Sequence, residues 1–124
     1  MKSNNAKFKE DIKKRVYVYA INVIKLLDSL DEKKVSTQAL SRQLVRSATS
    51  VGANVIEAQA GSSKKDFTNF LTHALKSANE SKFWLGLLRD TKKASASSVN
   101  DLLKETEELA KILASSILTL KGKK

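Results

Sequence analysis

The chain has no cysteine and no proline, one histidine, one tryptophan and four glycines in 124 residues. Each scarcity closes a class of explanation. Without cysteine there are no disulfides and no thiolate metal sites, which agrees with a cytoplasmic location. With a single histidine, His73, one protomer cannot assemble a histidine-rich metal centre. Without proline and with so little glycine, nothing interrupts long helices except short turns. Aromatics make up 6% of the chain and mostly fall at core spacing, which gives no platform for stacking single-stranded bases. No apolar run reaches the ~20 residues of a membrane span. The basic start, MKSNNAKFKEDIKKR, leads into no long apolar region, so no signal peptide is expected.

What is present is apolar periodicity and positive charge. The hydrophobic share, 41%, is enough to build a core. Lys and Arg number 23 against 13 Asp and Glu, for a formal charge of +10. That balance favours anionic partners, nucleic acid or an acidic protein surface, over a neutral ligand. The charge is uneven. Residues 1–34 carry nine basic and five acidic groups, and residues 63–93 carry seven and three. Residues 35–62 carry only Arg42, Arg46 and Glu57.

Steps of three and four residues predict four helices, at about 7–30, 37–60, 64–90 and 99–120. In the first, Phe8, Ile12, Val16, Tyr19, Val23, Leu27 and Leu30 form the core face, with Tyr17, Ile21 and Ile24 beside it. This apolar arc is broader than a monomeric bundle needs and points to cover from outside the protomer. Ser36 or Thr37 is expected to cap the second helix, with a left-handed Gly61 ending it. Ser63 and Asp66 resemble a capping box at the third. Ser97 or Ser98 is expected to cap the fourth, whose early acids and late Lys121, Lys123 and Lys124 suit the helix dipole. Short connections make neighbours antiparallel. The expected fold is therefore all-α, one domain over 1–124, an up-down-up-down antiparallel four-helix bundle.

Helix two is unusual for its lack of lysine. Leu40, Leu44, Ala48, Val51, Val55 and Ala58 read as its core side, with Gly52 admitting a close neighbour. Another side reads Gln43, Arg46, Ser50, Asn54 and Glu57, in steps of three, four, four and three. Solvated faces elsewhere in this chain are rich in lysine. Short hydrogen-bonding groups and an arginine instead suit a packed polar seam, within the bundle or between subunits. Helix three offers His73, Ser77, Glu80 and Trp84 at similar spacing, and Glu80 is the expected partner of Arg46. Together Gln43, Arg46, Ser50, Asn54, Glu57, Ser77 and Glu80 form the expected structural polar network.

The stretch QLVRSATSVGANVIEA, residues 43–58, resembles the signature of the bacterial four-helix-bundle family encoded in 23S ribosomal RNA intervening sequences. Gln43, Leu44, Arg46, Ser47, Ala48, Ser50, Val51, Ala53, Asn54 and Glu57 carry it, with Phe70, Ala74, Ser77 and Glu80 in FLTHALKSANE as a weaker second part. The resemblance implies a four-helix bundle assembling as a homopentameric ring. It also implies kinship with the accessory variability determinants of diversity-generating retroelements, basic pentamers that bind a reverse transcriptase and nucleic acid.

Catalysis is poorly served. His73 and Glu80 lie seven residues apart on one helix, roughly 10 Å, too far for an acid–base dyad. Thr68 stands where an Arg-x(4)-His ribonuclease motif needs arginine, and no phosphate-binding GxxxxGK[ST] loop occurs. The expectation is a non-enzymatic protein without cofactor or metal and with no membrane partner. It is read as a basic oligomeric adaptor that meets nucleic acid electrostatically. Lys13, Lys14, Arg15, Lys64, Lys65, Lys76 and Lys82 are its candidate contacts. The competing reading is a protein-interaction scaffold, such as an accessory subunit of a nucleic-acid enzyme, with no direct nucleic-acid binding.

Overall fold

The computed structural model describes residues 4–122, and side chains from residue 6 onward. Four helices follow one another: α1 Asn4–Asp28, α2 Val35–Ala60, α3 Lys64–Asp90 and α4 Ala96–Leu120. Each is ~38–40 Å long at 1.5 Å per residue. α2 packs on α1 and α3, and α4 packs on α3 and more lightly on α1. α1 and α3 therefore stand diagonally in an antiparallel four-helix bundle, as the periodicity predicts. Lys123 and Lys124 lie outside the described residues.

The helix ends depart from expectation in instructive ways. α2 begins after Lys34, which offers no side-chain cap, and Thr37 is buried inside the helix instead of capping it. The Gln38 side chain holds the preceding turn by donating to the Glu32 carbonyl at 2.6 Å. Gly61 is extended, with φ −65°, not left-handed. It is small for another reason: a Cβ there would lie 3.2 Å from the Ala58 carbonyl oxygen and 3.3 Å from Asp66 Cβ. Ser63 does cap α3, accepting from the Asp66 amide at 3.1 Å. α4 starts earlier than read, because Ser95, not Ser97 or Ser98, accepts the Ser98 amide at 3.3 Å. The turn before it is closed by Lys92 in the left-handed region, φ 61°.

The core follows the apolar stripes. Ile12, Val16, Tyr19, Val23 and Leu27 of α1 meet Leu44, Ala48, Val51, Val55 and Ala58 of α2. Leu71, Ala74, Ala78, Leu85 and Leu88 of α3 and Val99, Leu102, Leu109, Leu113 and Ile117 of α4 complete it. Phe8 is the main exception, 48% exposed at the open end of α1. The alanines let α2 and α3 approach closely, and that approach brings hydroxyls together inside the core.

At mid-height Tyr19 and Thr106 hydroxyls lie 2.7 Å apart, joining α1 to α4. Ser47 and Ser81 hydroxyls lie 2.8 Å apart, joining α2 to α3. One pair ties α1 to α4 and the other α2 to α3, so each helix contributes one hydroxyl. Ser81 and Thr106 are fully buried. Each is also anchored along its own helix, Ser81 to the Ser77 carbonyl at 2.9 Å and Thr106 to the Leu102 carbonyl at 2.6 Å. Among the described residues no buried side-chain polar atom lacks a partner.

Two outcomes follow from this packing. A Cβ on Gly52 would meet Val16 at 3.6 Å, an ordinary contact, so the close approach of α1 tolerates alanine. Gly52→Ala should raise the thermal unfolding midpoint by removing a helix penalty of roughly 1 kcal/mol, whereas Gly52→Leu should lower it. A drop for the alanine variant would mean that α1 sits closer than described.

Burial pushes the Tyr19 phenol above its ordinary value, outweighing its hydroxyl partners. A raised folded value means that its stabilisation is complete below the unfolded value of 10.0 and is lost as pH rises through the folded one. Urea unfolding at about pH 8 and about pH 11 should show an alkaline loss that Tyr19→Phe lacks. The variant itself should cost about 1 kcal/mol at neutral pH. An equal alkaline loss in both proteins would remove Tyr19 as the cause.

Candidate functional site

The polar seam runs along the outside of the α2–α3 contact. Arg46 Nη2 donates to Gln43 Oε1 at 2.9 Å and to Glu80 Oε2 at 3.1 Å. The Trp84 indole donates to the same Glu80 oxygen at 2.9 Å. One helical step away, Ser77 donates to Ser50 at 2.9 Å, and Asn54 donates to the Ser50 carbonyl and hydroxyl at 2.9 and 3.0 Å. The structure thus brings six of the seven network residues into two linked groups. Glu57 stays out: it is exposed and has no hydrogen-bond or ion-pair partner among the described residues.

The seam is wetter than its composition implies. The Arg46 side chain is 68% exposed and that of Glu80 38%, so their pair belongs with surface ion pairs worth about 0–1 kcal/mol. Ser50, Asn54 and Ser77 are half-buried. The seam grades from a packed inner edge to a solvated rim, and its deepest members, Ser47 and Ser81, are not among the seven. A signal for them exists. Ser81 sits between Ala78 and Leu85 in core spacing, Ser47 between Leu44 and Val51, and Thr106 between Leu102 and Leu109. A polar residue at a core step is the mark of a buried hydrogen bond.

The basic candidates fall in different places. Lys13 and Lys14 are exposed along α1. Arg15 is not free for a ligand. Its Nε and Nη2 both bond Glu105 of α4 at 2.8 Å, and Glu108 lies 3.8 Å away. The Glu105 hydrogen bond raises the Arg15 pKa further, burial opposing it. Sequence alone placed the acids of α4 with the helix dipole; the geometry spends two of them on Arg15. That clamp and the Tyr19–Thr106 bond both tie α1 to α4. Lys64 and Lys65 are exposed at the start of α3, Lys76 is exposed at its middle, and Lys82 is half-buried further on. Lys64 and Lys82 are ~27 Å apart along the helix axis, so the lysines form a dispersed field and no single patch.

A hollow of about 630 Å³ lies at one end of the bundle, with Phe8, Ile12, Phe67 and Leu113 on its walls. Two more, about 420 and 280 Å³, lie along the outer α1–α2 groove. Tyr17, Ile24 and Ile56 flank that groove, 69%, 40% and 41% exposed. The second apolar stripe of α1 is only partly covered: Tyr17 and Ile24 are exposed beside α2, and Ile21 is half-buried. His73 is exposed, and no three of His, Asp or Glu converge to hold a metal among the described residues. Among those residues no helix is long and apolar enough to cross a membrane.

Comparison with known proteins follows the same lines. No curated protein matches the chain. A crystal structure of a protein with unknown function, from the S23 ribosomal protein family of Bacteroides thetaiotaomicron VPI-5482, superposes with a TM-score of 0.79 at 33% identity. The match covers 88% of this chain and 96% of that one. Residues 9–115, which span the motif on α2 and its counterpart on α3, match the family model described as 23S rRNA-intervening sequence protein, and the chain belongs to that family.

Proposed function

We propose that the protein is a non-enzymatic, basic oligomeric adaptor. Five copies form a ring that holds nucleic acid by charge and does not read its bases. One observation carries the reading. Among the described residues every ion pair is made by an arginine, namely Arg15, Arg46 or Arg89, and no lysine is paired with a carboxylate. Four acids, Glu80, Asp90, Glu105 and Glu108, are held by arginine, and the lysine ammonium groups are left without a carboxylate among the described residues.

Lysine suits that use. Its compact, hydrated ammonium neutralises phosphate as a point charge and demands little geometry. Lys13, Lys14, Lys64, Lys65 and Lys76 are all exposed. Arg15 drops out of the set because Glu105 occupies it. Dispersed lysines fit backbone contact, which carries affinity without sequence information. The exposed aromatics, Phe8, Tyr17 and Phe83, are spread over α1 and α3 and form no continuous platform for base stacking. The exposed apolar groove on α1 and α2 supports association of copies.

Unrelated RNA and DNA of equal length should bind alike in gel-shift at low salt. The logarithm of the binding constant should fall linearly with that of salt concentration, losing at least about tenfold between about 50 and about 200 mM. A variant with Lys13, Lys14, Lys64 and Lys65 changed to Glu should bind neither and keep its fold. Sequence preference, or binding indifferent to salt, would contradict the proposal. Absence of binding at low salt would leave only the scaffold role.

A further inference from the structure

The α1–α2 groove has a counterpart on the same chain. Phe83 projects from α3, 60% exposed, with its ring edge-on to Trp84 at 5.0 Å. One turn on, Gly86 stands inside the helix with nothing within 4 Å of where a Cβ would be. Gly52 and Gly61 each have a neighbour inside the protomer at that distance; Gly86 has none. A glycine in a helix interior costs roughly 1 kcal/mol against alanine, and here no contact within the protomer accounts for it. An exposed phenyl ring beside a bare stretch of backbone is a surface shaped for close approach from outside.

Height along the bundle is fixed by the Ser47–Ser81 hydrogen bond. α2 and α3 are antiparallel, so Val45, two residues before Ser47, and Phe83, two residues after Ser81, lie at the same level. Val45 lines the upper groove of about 280 Å³ together with Ile24 and Leu27. The knob on α3 and the groove on α1–α2 are thus level with one another but lie on different sides of the bundle. One molecule cannot fill its own groove. A neighbouring copy, turned about an axis parallel to the helices, can do so with no shift along that axis. A head-to-tail contact of this kind closes into a ring when the rotation allows, and it does not climb into a helix.

Charge agrees with this pairing. Asp28 and Glu32 stand with Arg42 on the rim of the upper groove, an acidic balance on a chain of +10. Lys82 adjoins Phe83, and Lys76 lies two turns before it on the same outward side of α3.

We infer that Phe83, beside Gly86, inserts into the α1–α2 groove of the next copy at the level of Ile24 and Val45, and that this heterologous contact builds the ring. This rests on the oligomeric reading above and names its interface. It also moves Lys82 from the nucleic-acid field to the acidic rim of a neighbour.

The chain has no cysteine, so cross-linking reads the contact directly. Asn79 and Thr49 are exposed and level, each two residues from the Ser47–Ser81 bond toward the same end. Asn79→Cys and Thr49→Cys proteins, mixed and treated with a short thiol-reactive cross-linker, should give linked dimers. Neither variant alone should do so, and a chain carrying both should give a ladder. Phe83→Asp should need at least tenfold higher concentration to assemble, with unchanged circular dichroism. Gly86→Leu should behave likewise. A multimeric wild type whose mixed variants fail to link would overturn this interface and leave assembly standing. Links within one single variant would replace it with a two-fold contact. A monomeric wild type by light scattering would remove both the ring and the interface.

Discussion

Four hydroxyls at mid-height hold the bundle in one register. Tyr19, Ser47, Ser81 and Thr106 come one from each helix, and their bonds are made where water does not reach. Leaving any one of them unpaired costs on the order of 1–3 kcal/mol. A bundle of aliphatic stripes alone can slide by a heptad and still bury its leucines. These hydroxyls cannot slide without losing their partners, so they convert a greasy interface into a single alignment. The small residues around them, Ala48, Ala74 and Ala78, are what allow the approach. The position of every surface feature depends on that alignment, including the shared level of Phe83 and Val45.

Outside the core, the chemistry divides by residue type. Arginine makes the internal ion pairs: Arg15 to α4, Arg46 across α2 and α3, and Arg89 beside Asp90. Lysine makes none among the described residues. The first group has planar donors that hold carboxylates in fixed geometry, and the second has mobile point charges that suit a diffuse anionic partner. Apart from the exposed Arg42, the ion-paired and the outward-facing cations among the described residues are different amino acids, so a net charge of +10 coexists with an ordered polar seam.

Much of this was legible in the sequence. Helix number, order and core faces followed from spacing because apolar burial is periodic. The Arg46–Glu80 pair followed from antiparallel neighbours bearing opposite charges at similar spacing. The caps of α2 and α4 were misplaced because several serines and threonines compete near each start, and only tertiary position decides between them. Arg15 looked like a free cation because its partner, Glu105, is 90 residues away. Glu57 belonged to the motif by spacing, yet it points to solvent. Ser81 and Thr106 were visible as polar breaks in apolar stripes, but their pairing required knowing which levels of the four helices coincide.

The central claim is that the motif on α2 is an internal packing device and that ligand-facing charge lies elsewhere. A double-mutant cycle on Ser47→Ala and Ser81→Ala tests it most directly, with unfolding free energy and nucleic-acid affinity both measured. Each single change should destabilise the fold by about 1–3 kcal/mol. The pair should fall short of additivity by at least about 0.5 kcal/mol, and low-salt affinity should not change in the folded protein. Additive, near-zero effects on stability together with lost nucleic-acid binding would contradict the account and make the motif a recognition site.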